Sequence, residues 1–213
     1  LDAIIMAGGF GSRLGMGEKP RVELLGKPLI SYVIEALEDT EIIGSIYVAV
    51  SPATPSTGDF VESLYEGRVK VIQTGGGNYV GDMIHAVKSA GIDDPVLILM
   101  ADIPLLNPEI IEDIISEYDK CQKPAMSVFS PITVCKGLGI RPDTVFNWAG
   151  RLIVPAGINI LDGKDVDNEQ DYESLILDRK ELALNINTVS ELKKCKEILT
   201  EILAEKTALQ QKH

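Results

Sequence analysis

The stretch MAGGFGSRLGMGEKP, residues 6–20, concentrates the residue types best suited to receiving an anion. It follows a short apolar run, and Ala7, Gly8, Gly9 and Gly11 leave its backbone almost bare. Glycines let the chain approach a ligand closely, and successive N–H groups can form a nest for phosphate oxygens. Arg13 lies inside the turn and Lys19 just beyond it. A planar guanidinium grips two phosphate oxygens at once, while an ammonium adds a point charge. That pairing suits a triphosphate. Two familiar phosphate loops are excluded. A Walker A loop ends in Gly-Lys-Ser/Thr, whereas the nearby Gly26-Lys27 runs into Pro28. A dinucleotide fingerprint begun at Gly9 meets Leu14 at its third glycine, and Ser51-Pro52 replaces the acid expected after the second strand.

Asp102 closes the apolar segment VLILMAD. A carboxylate at the end of a central parallel strand lies in the crevice where such sheets bind ligands. Mg²⁺ is satisfied by one or two protein oxygens plus substrate phosphates, so Asp102 is the expected metal anchor. Asn107-Pro108 places the next helix start too late for Asp102 to cap it. Other reactive groups are few. His85 falls on a predicted helix, His213 is terminal, and Cys121, Cys135 and Cys195 lack neighbours that would lower a thiol pKa. No Ser-His-Asp or Cys-His arrangement can be assembled. This scarcity leaves chemistry on a phosphate to alignment and charge neutralisation, with no side chain placed to act as a base.

The elements that position these residues follow from hydrophobic patterning. DAIIMA reads as a buried strand, LISYVIEALEDT as a helix carrying Leu29, Val33, Ile34 and Leu37, and IGSIYVAVS as a second strand. A short helix DFVESLYEG, a strand VKVIQTGG and a helix VGDMIHAVKSAG closed by Gly91 come next. PVLILMAD is the expected central strand, with a helix over 108–120 behind it. Strand alternates with helix throughout, so the fold class is α/β: a doubly wound, mainly parallel sheet with helices on both faces. Farther on, AMSVFSPITV, GRLIVPAGINIL and ELALNINT read as strands, and the acidic run at 162–173 as a surface turn. A C-terminal amphipathic helix over 190–212 is predicted, capped by Ser190 and packed on the chain's own sheet by Leu192, Cys195, Ile198, Leu199, Ile202 and Leu203. Core packing is the expected role of the lone Trp148.

The chain has 213 residues, 45% of them hydrophobic, which suits one domain over 1–213 with a full core. No run approaches the roughly 18–20 apolar residues of a membrane span, and the N-terminus does not read as a signal peptide. Three scattered cysteines argue against a disulfide scaffold or a cysteine zinc site and point to the reducing cytoplasm. The net charge of −12 disfavours nucleic acid and anionic membrane as partners. Its distribution says more. Residues 1–30 carry Arg13, Lys19, Arg21 and Lys27 against Asp2, Glu18 and Glu23, a net of +1, so −13 falls on the remainder. A small anion would be received near the N-terminus.

The pattern AGG-x-G-x-R-L-G…KP resembles the signature of the sugar-nucleotide type of nucleotidyltransferases, which use a GT-A-like Rossmann variant. SPATPST, TGGGNYVGD, VPAGIN and NINT, at 51–57, 74–82, 154–159 and 185–188, make the chain similar to the archaeal GTP:adenosylcobinamide-phosphate guanylyltransferase family in particular. Phe10 departs from the small or basic residue common in such loops. The resemblance implies GTP and adenosylcobinamide phosphate as substrates, Mg²⁺ as cofactor and a possible homodimer. It makes Arg13, Lys19 and Asp102 catalytic, with Asn187 the helper oxygen on Mg²⁺. It assigns nucleotide contacts to Ala7, Gly8, Gly9, Gly11, Arg13, Lys19, Ser51, Gly75, Asp82 and Gly157, with Asp82 the expected reader of guanine. Asn187 could instead be a turn or cap residue, and Gly157 a bulge glycine. The alternatives are a molybdenum-cofactor guanylyltransferase, a sugar-1-phosphate nucleotidyltransferase, and a non-catalytic nucleotide-binding regulator.

Overall fold

A computed structural model describes residues 1–9 and 11–210, so Phe10, His213 and the last two residues of the predicted C-terminal helix, 211 and 212, lie outside the described residues. In chain order the elements are β1 (Asp2–Met6), β2 (Glu23–Leu24), β3 (Lys27–Pro28), α1 (Leu29–Glu38), β4 (Ile46–Val50), α2 (Pro55–Leu64), β5 (Val69–Gln73) and α3 (Tyr79–Ala90). They continue with β6 (Pro95–Met100), α4 (Pro108–Lys120), β7 (Ala125–Pro131), α5 (Ile132–Gly137), β8 (Phe146–Trp148), β9 (Arg151–Asp162), β10 (Tyr172–Ile176) and α6 (Val189–Gln210).

After Asp2, β1 is apolar because both its faces are covered. Ala3 and Ile5 enter a core shared with α1 and α4, while Ile4 and Met6 meet Ala86 and Val87 of α3. The main sheet runs β10-β7-β9-β6-β1-β4-β5, with β8 attached to β9. β6 stands at its centre, as its hydrophobicity predicts. β5, β4, β1 and β6 are parallel, and β9 alone runs against its neighbours β6, β7 and β8. After β1 the chain winds outward through β4 and β5, then returns to β6 on the other side. The crevice beyond the carboxyl ends of β1 and β6 is therefore the switch point where doubly wound sheets bind ligands.

Several boundaries depart from the sequence reading. ELALNINT is not a strand: Lys180–Leu182 form a 3-10 turn and the segment continues irregularly. Leu182, Ala183 and Leu184 are buried in succession and Ile186 after them, against different neighbours, with Leu184 and Ile186 beneath α6. Ile132–Val134 begin α5 because Pro131 closes the strand and Cys135 is buried against Val154 and Ala183. β10 overlaps the end of the acidic segment 162–173 expected as a turn, and pairs in parallel with β7 at the sheet edge. Helix α2 starts at Pro55, four residues before Asp59, because an acceptor from elsewhere in the chain holds its first turn. Thr188, not Ser190, caps α6: its carbonyl accepts from Leu192 N (3.0 Å) and its hydroxyl from Glu191 N (3.2 Å). Cys195, Ile198 and Leu199 pack against Leu14, Leu24 and Leu29, whereas Leu203 at the end of the predicted stripe is exposed. Trp148 is no core residue; it stands 42% exposed on β8.

Candidate active site

The glycine loop leaves β1 with its path set by two contacts. The Ser51 hydroxyl donates to the Gly8 carbonyl (2.9 Å), and a Cβ on Gly8 would stand 3.1 Å from Ser51 Cβ. Gly11 has φ 68°, and a Cβ there would fall 2.6 Å from Lys19 Cβ. Glycine at 11 thus lets the lysine stem pass against the loop. Leu14 folds inward beneath α6 and anchors the turn.

Glu18, unmarked by sequence reasoning, fixes the loop's far end. Its carboxylate accepts from Ser56 N (2.9 Å), Thr57 N (2.7 Å) and the Thr57 hydroxyl (2.7 Å), capping α2 from outside the helix. Burial pushes its pKa up, but these hydrogen bonds outweigh burial and hold it below the ordinary glutamate value. A clue was present in the sequence. SPATPST offers a proline at the first helical position with no acid in the first turn, so the N–H groups needed an acceptor.

Three of the expected residues meet. The Lys19 ammonium donates to Asp102 Oδ2 and to Asn187 Oδ1, the latter at 2.7 Å. Both ends of the ion pair are nearly buried, and Asp102 Oδ1 is buried with no partner among the described residues. Asn187 is held from behind: Glu191 accepts from its backbone N–H and that of Thr188, each at 2.8 Å. Ile186 N donates to the Asp102 carbonyl (3.0 Å), tying this segment to the end of β6. With Thr188 as the cap, Asn187 has its side chain free for the site.

Arg13 stands at the cleft mouth, more than half exposed, paired with Asp143 at 2.6 Å. The hydrogen bond and charge of Asp143 raise its pKa further. The cleft between them encloses about 260 Å³, walled by Lys19, Asp102, Asn185 and Asn187 on the polar side and by Val154 and Pro155 on the apolar side. The other predicted contacts stand outside that wall. Ser51 is buried, its hydroxyl engaged with Gly8 and Ala53 N. Asp82 accepts from Gly76 N (2.9 Å), so it holds the loop containing Gly75. Gly157 has φ 75° in a bulge where the β7–β9 register shifts, and a Cβ there would crowd Met100 and Asn185. Ala7 continues the ladder to Ala49, and Gly9 is exposed. Burial raises the thiol pKa of Cys135 and pushes that of Cys195 up to about 12, which keeps both protonated.

The MobA-like NTP transferase domain family matches residues 3–138, well over half of the chain. The chain belongs to that family. One relative is the adenosylcobinamide-phosphate guanylyltransferase of Methanocaldococcus jannaschii, 34% identical over 98% of this chain and 100% of that one. A probable molybdenum cofactor guanylyltransferase of Thermococcus kodakarensis is 32% identical, over 57% of this chain and 55% of its own. Among solved structures, CMP:2-keto-3-deoxy-manno-octonic acid synthetase complexed with CTP superposes with a TM-score of 0.73, 16% identity, and 94% and 98% coverage. At that identity the likeness concerns the fold, and it agrees with the nucleotidyltransferase architecture read from the sequence. The transferase has no helix, among the described residues, long and apolar enough to cross a membrane.

Proposed function

We propose that this transferase moves GMP from GTP to adenosylcobinamide phosphate, releasing pyrophosphate. The observation that carries the acceptor is the reach of the similarity. The family match stops at residue 138, yet the M. jannaschii relative aligns through VPAGIN, NINT and α6, which supply one cleft wall and Asn187. The molybdenum-cofactor relative aligns over little more than half of the chain.

In this reading the acceptor's phosphate oxygen attacks the α-phosphorus in line. One P–O bond forms to it as the bond to the β-phosphate oxygen breaks, and pyrophosphate leaves with the electron pair. No base is required. Lys19 offsets charge at the α-phosphate, and Arg13, released from Asp143, grips the departing pyrophosphate. Asp102 and Asn187 fit a hard divalent cation: two oxygens converge from different segments, and the buried Asp102 Oδ1 still lacks a partner. Mg²⁺ held there would neutralise phosphate charge and favour in-line alignment. No cluster of three or more His, Cys, Asp or Glu side chains is found among the described residues, so a cation on Asp102 and Asn187 would rely on substrate phosphates for further oxygens. Residues 143–152 form an exposed arm continuing from the cleft wall, with Val145, Phe146, Trp148 and Leu152 apolar at its surface. That surface suits a broad ring better than a sugar.

The test is pyrophosphate release by purified protein from GTP with adenosylcobinamide phosphate, molybdopterin or a hexose 1-phosphate as acceptor. Release with the corrinoid alone is expected. Release only with one of the others would overturn the acceptor, and none with any acceptor would overturn the activity.

A further inference from the structure

The proposed function gives Asp102 and Asn187 to a divalent cation and Lys19 to the phosphates, yet the three side chains bind one another. We infer that Lys19 is an exchangeable counter-ion: in the nucleotide-free protein its ammonium holds the metal's oxygens, and a triphosphate must draw it off before metal binds tightly. This rests on the metal role of Asp102 and Asn187.

Three features support the exchange. A nearly buried carboxylate without a cation is costly, so something must neutralise Asp102 whenever nucleotide is absent. Lys19 does so, and by joining Asp102 to Asn187 it holds oxygens from β6 and the 185–188 segment together. Next, the Lys19 backbone is held independently of its head. It opens the 3-10 turn Lys19–Arg21, Val22 N donates to its carbonyl (3.2 Å), and Glu18 before it is fixed to α2. The four-carbon stem can therefore swing while the loop stays in place. Finally, the carboxylate keeps an open coordination position: Asp102 Oδ1 has no hydrogen-bond partner among the described residues. A divalent cation and an ammonium on one carboxylate repel each other strongly at such range. Lys19 thus excludes the metal until phosphate oxygens compete for the ammonium. Metal and nucleotide then arrive as a unit, and no bare metal site waits for water.

The inference predicts a gain where deletion of a site residue ordinarily gives a loss. Mn²⁺ binding to nucleotide-free protein, followed by electron paramagnetic resonance, should be about tenfold tighter in Lys19→Gln than in wild type, the scale of removing a like charge at close range. Lys19→Met is a second variant without hydrogen bonding, and circular dichroism verifies the fold of each. The gain should vanish in Lys19→Gln/Asp102→Asn, which locates the ion. With GTP present, wild type should bind Mn²⁺ in an Asp102-dependent way and the gap between wild type and Lys19→Gln should narrow. Equal or weaker Mn²⁺ binding in folded, nucleotide-free Lys19 variants overturns the inference. Mn²⁺ binding with GTP that ignores Asp102→Asn overturns the metal assignment beneath it, a separate failure. Should both lysine variants fail to fold, melting of wild type with Mn²⁺ decides. Under the inference, Mn²⁺ raises the melting temperature only when GTP is also present, and an equal rise without GTP refutes it.

Discussion

Gly11→Ala is the substitution through which the loop's geometry can be tested most directly. Alanine at φ 68° meets two separable costs. The left-handed conformation itself costs about 1–2 kcal/mol for a residue with a Cβ. The new Cβ would also stand 2.6 Å from Lys19 Cβ, so the lysine must retreat about 0.8 Å to reach ordinary contact at 3.4 Å. A displacement of about 1 Å in a positioning group can cost about 10²-fold in rate, or about 3 kcal/mol of barrier. Gly15→Ala supplies the comparison, because Gly15 has φ 64° with nothing within 4 Å of its Cβ position. Both variants should lose stability in denaturant titrations, Gly11→Ala the more because the Cβ contact adds to the strain. Only Gly11→Ala should lose kcat/KM for GTP by about 10²-fold in the pyrophosphate-release assay. Equal activity losses in the two would show that loop strain, and not the position of Lys19, governs the rate.

Other expectations follow from single contacts. Glu18→Gln should cost about 1 kcal/mol at neutral pH, as loss of a helix cap does. Since the folded carboxylate lies below its ordinary pKa, that stabilisation is present above the ordinary glutamate range and fades as pH falls through the folded value; wild-type and variant melting curves should therefore converge in acid. Asn187→Ala should require more Mg²⁺ for half-maximal turnover and Asn187→Asp less, and a shared Mg²⁺ curve for all three proteins would make Asn187 structural. Trp148→Ala should raise KM for the corrinoid while leaving KM for GTP unchanged, since its exposed ring stands on the arm beyond the phosphate cleft.

A residue's role is legible in the sequence to the extent that its partners lie close along the chain or its burial is uniform. β1 and β6 were legible because strands buried on both faces are apolar without interruption, and α3 because Gly91 ends it in the left-handed conformation its type favours. The segment 182–186 reads as a strand although its apolar residues are buried by different neighbours, Leu182 in the main core, Ala183 beside Cys135, and Leu184 and Ile186 under helix α6. Trp148 misled through composition alone, since an aromatic is usually buried and the arm's exposure is a fact of tertiary shape. In the site, residue types were readable: a glycine loop, two cations, one carboxylate and one amide. Their pairing was not. Lys19 reaches Asp102 across 83 positions and Asn187 across 168, and no local pattern encodes such a meeting. Glu18 went unnoticed for the same reason, its partners lying 38 and 39 residues away on another element.

The same pairing changes what the protein's charge does to GTP. A net charge of −12 repels a triphosphate at long range, and an open basic cleft could have reversed that locally. This cleft does not, because Arg13 is matched by Asp143 and Lys19 by Asp102. Attraction therefore begins only at contact, when phosphate oxygens exchange for carboxylates, and the approaching nucleotide meets a repulsive field until then. Screening that field should help: the Debye length shortens from about 30 Å at 0.01 M salt to about 8 Å at 0.15 M. Stopped-flow measurement with a fluorescent GTP analogue should show an association rate constant that rises across this range. Asp143→Asn, which unmasks Arg13, should flatten or invert the trend. A wild-type rate that falls as salt is added would mean that the cleft's cations already dominate its field, and that their pairing does not offset them.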